Sequence, residues 1–64
     1  MRVRIRHQRR ELELVGVRTV QELLERLQLN PETVLVLRGS ELLTREARLA
    51  EDDEVEVRPV VSGG

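Results

Sequence analysis

The sequence contains no cysteine, no aromatic side chain and no lysine, and each absence removes a class of chemistry. Without cysteine there is no disulfide framework, no thiolate metal site and no protein thiol to act as nucleophile. Without Phe, Tyr or Trp there is no stacking platform for a single-stranded nucleic acid, and eleven basic residues against twelve acidic ones leave no basic excess. Direct nucleic-acid binding is therefore disfavoured, although a partner is free to bind nucleic acid. All eleven basic residues are arginine, so the chain offers no ε-amine of its own as an acyl acceptor. One histidine and two aspartates are little material for a metal site, and none is expected.

Long apolar runs are also missing. Val34-Leu35-Val36-Leu37 is the longest, far too short to span a membrane. The first residues alternate in charge instead of forming a signal-peptide core, which points to the cytoplasm and away from membranes. Sixty-four residues make one domain near the lower limit for folding without staples.

What is present is clean periodicity. Arg2 to Arg6 alternates as a strand with Val3 and Ile5 inward. After the polar turn His7 to Arg10, Glu11 to Val15 alternates again, which predicts a hairpin closed by Gly16. Thr19-Val20-Gln21-Glu22 fits a capping box, and Val20, Leu23, Leu24 and Leu27 follow at i, i+3, i+4 and i+7. This predicts a short helix covering one face of a sheet, ended by Asn30-Pro31. Val34 to Arg38 reads as a third strand closed by Gly39, Leu42 and Leu43 as a brief fourth, and Glu54 to Arg58 as the last, limited by Pro59.

Charge on the outward face suggests how the strands are ordered. Arg2, Arg4 and Arg6 face outward from the first strand, Glu11 and Glu13 from the second, and Glu54 and Glu56 from the last. Opposite charges across strands are favourable and like charges are not. The arrangement that uses every charge sets the arginine strand between the two glutamate strands. First and last strands are then central neighbours, and if parallel they require a crossover over the helix. The expected fold is α+β: a ubiquitin-like β-grasp, with a mixed sheet and one main helix packed on one face.

On the third strand, placing Arg38 in solvent puts Val34 and Val36 on the same outward face and Leu35 and Leu37 inward. Val34 and Val36, with Arg58, Val60 and Val61 near the end of the last strand, then form a partner-binding patch. The alternatives are a covering loop or strand, or a register slipped by one residue.

The chain ends in Val60-Val61-Ser62-Gly63-Gly64. Two residues without a Cβ make a thin, pliable end able to enter a narrow partner cleft and present an α-carboxylate there. The expected organisation is a β-grasp domain over 1–61 and a flexible tail over 62–64. A frayed, adventitious end is the other reading.

A helix-capped β-grasp of this size ending in Gly-Gly resembles the ThiS/MoaD sulfur carriers and, more distantly, ubiquitin. The resemblance covers the whole chain. It is carried by the opening hairpin, the helix start Thr19 to Leu24, and the Arg38-Gly39 turn before Leu42. The acidic turn Glu51-Asp52-Asp53 and the closing segment Pro59 to Gly64 complete it. Within that group, Leu29 to Val34, Arg38 to Thr44 and Ser62-Gly63-Gly64 look most like the bacterial carriers that serve tRNA 2-thiouridine formation.

The resemblance implies a carrier, not an enzyme, whose reactive group is the Gly64 carboxyl, with Ser62 and Gly63 as the recognised approach. An E1-like adenylating enzyme would use ATP to form the acyl-adenylate, so no cofactor is bound by the carrier itself. A sulfur donor of cysteine desulfurase or rhodanese type would supply the sulfur that makes the thiocarboxylate. A sulfur-accepting enzyme such as a tRNA thiolase would take it, and joining to lysines of target proteins is a compatible second use. Thiamine thiazole and molybdopterin synthesis employ similar carriers and stay open as destinations. A noncovalent β-grasp interaction module is the alternative of a different class. His7 reads as a hairpin-rim residue, and Glu51, Asp52, Asp53 and Glu54 as a solvated turn.

Overall fold

The computed structural model describes residues 1–60. Strand β1 (Arg2–Ile5) pairs antiparallel with β2 (Arg10–Glu13), joined by a 3-10 turn over Arg6–Gln8. Arg9 closes that turn in the left-handed region at φ 50°, its N–H donating to the Arg6 carbonyl at 3.2 Å. The second strand starts one residue earlier and stops two residues sooner than its alternation suggests. Leu14 still donates to the Met1 carbonyl at 2.9 Å, but Val15 is exposed where the chain leaves the sheet through Gly16 at φ 77°.

Helix α1 (Val20–Leu27) begins as expected. The Thr19 hydroxyl accepts from the Glu22 N–H at 3.2 Å, and the Glu22 carboxylate reaches back to the Arg18 N–H at 3.2 Å. Its end differs from the expectation. Gln28 adopts φ 58°, its N–H bonds to the Glu25 carbonyl at 3.1 Å, and the Leu29 N–H to the Leu24 carbonyl at 2.9 Å. This reciprocal pair is a Schellman cap. The helix thus terminates before Asn30-Pro31, which forms the following turn.

Strands β3 (Val34–Arg38), β4 (Glu41–Leu43) and β5 (Glu54–Pro59) complete a five-stranded sheet of order β2-β1-β5-β3-β4. The first and last strands are the parallel pair, and every other pairing is antiparallel. The charge ladder has the expected register: Arg2 lies opposite Glu13 and Glu54, and Arg4 opposite Glu11 and Glu56. A mixed sheet with this order and one helix on one face is a ubiquitin-like β-grasp.

The core lies between helix and sheet. Val3, Ile5, Val20, Leu23 and Val57 are its most completely enclosed side chains, joined by Val17, Leu24, Val34, Val36, Leu49 and Val55. Branched aliphatic residues fill it without an aromatic, each contributing about 1.5–3 kcal/mol of transfer free energy when buried.

One phase assignment is corrected. Val34 and Val36 point into the core, Val36 only 3% exposed opposite fully buried Val57, whereas Leu35 points outward at 40% exposure. Arg38 misled the phase because it too lies on the helix side of the sheet. Its long side chain runs past the core rim, and its guanidinium donates to Asp53 at 3.0 Å, Glu41 at 3.2 Å and the Arg48 carbonyl at 3.2 Å. An arginine can share a face with core residues when its stem covers apolar surface and its head finds carboxylates at the edge.

Candidate functional site

β5 delivers the chain to the diglycine segment, so its exit defines the candidate site. Val55 and Val57 anchor it in the core. Beyond them Pro59 sits opposite Val34, and the Val60 N–H donates to the Thr33 carbonyl at 2.9 Å. Thr33 is itself fixed by a compact turn: the Asn30 side chain accepts from the Glu32 N–H at 2.9 Å. The Thr33 N–H and hydroxyl both donate to the Asn30 carbonyl, at 3.0 and 2.9 Å. Asn30 and Pro31 thereby hold the acceptor that secures β5 at the last described residue.

The outer face of the sheet divides into two halves. Across β2, β1 and β5 it is ionic. Glu11 lies 3.4 Å from Arg2 and 3.7 Å from Arg4, Glu54 is 3.5 Å from Arg2, and Glu56 is 3.5 Å from Arg6 while also accepting from Arg58. The Arg58 hydrogen bond, with the charges of Arg58, Arg6 and Arg4 behind it, holds the Glu56 carboxyl below its usual range. Across β3 and β4 the same face is apolar. Leu35 stands opposite Arg58, Leu37 opposite both Glu56 and Leu42, and Leu42 is 58% exposed. Val60, 41% exposed, continues this surface at the β5 end.

Of the residues expected to bind a partner, Arg58 and Val60 are exposed near the end of β5. Val34 and Val36 are buried beneath that surface and are withdrawn from the patch. Val61, Ser62, Gly63 and Gly64 lie outside the described residues, as does the expected domain boundary after residue 61. The sequence pattern placed Leu35 inward and did not show that Leu35 and Leu42 are the exposed apolar residues of this face. The available signal was the match of β-branched residues: Val34 and Val36 belong with Val55 and Val57, which alternate with glutamates and are plainly inward.

The remaining polar candidates have structural explanations. His7 is exposed on the hairpin rim. Asp53 is half-buried, and its carboxylate accepts from the Ala50 N–H at 2.8 Å and from Arg38. These partners, Ala50 foremost, hold its carboxyl below the usual range. Asp53 is therefore a structural anchor, not a merely solvated turn residue. Among the described residues no group of three or more His, Asp or Glu is placed to hold a metal ion, and no helix is long and apolar enough to cross a membrane.

Two comparisons bear on this arrangement. The ThiS family model matches residues 2–64, from the first strand through the diglycine. Over 65 aligned positions the chain is 51% identical to the sulfur carrier protein TtuB of Thermus thermophilus, a match covering 100% of each chain. A match that spans the hairpin, the capped helix and the β5 exit pinned to Thr33 makes this β-grasp chain a member of the ThiS family.

Proposed function

We propose that the chain is a sulfur carrier whose cargo is borne on the carboxyl group of Gly64. The observation that supports this most is the full-length family match reaching Gly63-Gly64, joined to 51% identity with a sulfur carrier. An α-carboxyl with a pKa of about 3.5 is anionic at neutral pH and a poor electrophile. An E1-like partner overcomes this by transferring AMP from ATP to the carboxylate, with pyrophosphate leaving. Hydrosulfide then attacks the acyl carbon and expels AMP, giving the thiocarboxylate. A persulfide donor does the same when a thiol reduces the resulting acyl disulfide. The acceptor, held by a second enzyme, we take to be a tRNA uridine. Its C2 oxygen, activated by ATP, leaves with the AMP as the thiocarboxylate sulfur attacks, and water then cleaves the acyl–sulfur bond to restore the carboxylate.

Gly63 keeps the approach slender, and Ser62 adds a small polar residue before it. The partner docks on the exposed strip Leu35, Leu42 and Val60, with Arg58 beside it, which replaces the patch expected from sequence. The same adenylate or thiocarboxylate is open to attack by lysine amines of target proteins. A chain without lysine then cannot build chains of itself through ε-amines.

The test is loading in vitro with the cognate adenylating enzyme, ATP and a sulfur donor, read by intact mass. The expected result is AMP release and exchange of one oxygen for sulfur at Gly64, with deletion of Gly64 abolishing both while circular dichroism is unchanged. A Gly64 deletion that still supports every function of the chain would make it a noncovalent interaction module.

A further inference from the structure

Whole-chain neutrality conceals a separation of charge along the sheet. Where Arg2 begins β1, its neighbours are Glu13 and Glu54, with Glu51, Asp52 and Asp53 around them. At the other end, Ile5 lies between Arg10 and Val57, and the 3-10 turn carrying Arg6 and His7 packs against the end of β5. Arg4, Arg6, Arg9 and Arg10 gather there around an open depression of about 360 Å³. Arg58 adds its charge from β5.

The carboxylates near this end do not cancel it. Glu56 is shared between Arg6 and Arg58, and Glu11 between Arg2 and Arg4, so each carboxylate serves two guanidiniums. Arg9 and Arg10 are exposed and make no ion pair among the described residues. The basic end is also the end where β5 leaves the sheet towards Gly64.

We infer that this basic end contacts the phosphate backbone of the RNA that receives the sulfur, while the tail occupies the acceptor enzyme. The inference rests on the reading above that the acceptor is an RNA base. Guanidinium forks match phosphate oxygens in geometry as well as charge. With no aromatic side chain to stack on bases, the contact reads backbone and not sequence. Its role is to orient the carrier on the RNA beyond what attachment through Gly64 alone specifies. The nearly balanced total charge keeps the contact weak enough for turnover, and the acidic end faces away from the RNA.

The experiment uses the full chain and an unmodified tRNA transcript. Anisotropy of labelled transcript with the carrier alone, followed across a fourfold rise in salt, reads the contact without any sulfur chemistry. Four phosphate contacts predict about a 100-fold fall in affinity over that range, and two predict about tenfold. Arg9→Asn with Arg10→Thr removes two charges while respecting a left-handed position and a strand position. The expected variant loads sulfur normally, keeps its circular dichroism, loses about two units of salt slope and transfers sulfur to tRNA more slowly. Arg9→Glu with Arg10→Glu should deepen the loss.

Wild-type carrier that leaves the transcript unbound at low salt, or a variant that binds and transfers like wild type, overturns the inference. A variant impaired in loading but not in RNA binding also overturns it, and assigns the basic end to an acidic protein surface. Failure of wild type to load sulfur at all sinks the carrier reading instead, a result the anisotropy does not depend on.

Discussion

The guanidinium of Arg38 lies 3.0 Å from the carboxylate of Asp53, tying the end of β3 to the turn that launches β5. The same carboxylate oxygen accepts from the Ala50 N–H at 2.8 Å, and Arg38 also reaches Glu41 on β4. One arginine thus joins the edge hairpin to the acidic turn across the rim of the core. The Asp53 hydrogen bond foremost, with Glu41 next, raises the Arg38 pKa further above its already high value.

Asp53→Ala should destabilise the fold by about 1–2 kcal/mol at neutral pH, because it removes the charge-assisted hydrogen bonds from Ala50 and Arg38 at a position partly screened by solvent. The pH dependence has a definite sign. The Asp53 and Glu56 carboxyls both titrate below their usual values in the folded chain. The folded state therefore binds these protons less readily than the unfolded state. Their contribution is complete above the ordinary carboxylate range, about pH 4–5, and is lost as pH falls through the lowered folded values. Urea midpoints for wild type and Asp53→Ala should differ at pH 7 and converge towards pH 2. A gap that persists unchanged at pH 2 would mean the carboxylate charge is not what stabilises this corner.

Much of this architecture was legible because the outward face of three strands carries its own pairing code. Arg2 and Arg4 against Glu11, Glu13, Glu54 and Glu56 specify both neighbours of β1, and the Thr19–Glu22 box marks where the helix begins. Where local pattern stops discriminating, sequence reading stops too. Val34-Leu35-Val36-Leu37 is apolar in both phases, so only tertiary context decides which pair is buried. Arg38 gave the wrong answer because its partners, Asp53 and Glu41, stand at the rim, invisible until the sheet is assembled. The helix end was obscured because Gln28 occupies a left-handed position where glycine is the usual signal. For the diglycine the reverse holds: the chemistry proposed for it follows from the residues themselves, and Gly63 and Gly64 lie outside the described residues.

Gln28→Gly should stabilise the domain by about 0.5–1 kcal/mol. A non-glycine residue at φ 58° suffers a clash of Cβ with the following carbonyl, costing about 1–2 kcal/mol, and glycine returns part of that gain as unfolded-state entropy. The Gln28 side chain is exposed and makes no hydrogen bond among the described residues, so little is lost with it. Thermal denaturation should show a rise of several degrees for a domain of this size. A fall in midpoint would place a stabilising contact on the Gln28 side chain.

Leu35 and Val36 are adjacent in sequence and opposite in fate, and this separates docking from folding. Val36→Asp would bury an unpaired carboxylate beside Val57, a cost of several kcal/mol in a domain whose whole stability is about 3–9 kcal/mol. It should unfold the chain, seen as loss of far-UV circular dichroism at neutral pH. Leu35→Asp places the same charge in solvent, opposite Arg58, and should leave the spectrum and melting temperature nearly unchanged. In the loading reaction Leu35→Asp should raise the carrier concentration needed for half-maximal AMP release by about tenfold, the effect of losing one apolar anchor at an interface. Maximal loading at saturating carrier should stay close to wild type, because Gly64 is untouched. If Leu35→Asp is activated as efficiently as wild type, the β3–β4 face is not where the adenylating partner docks.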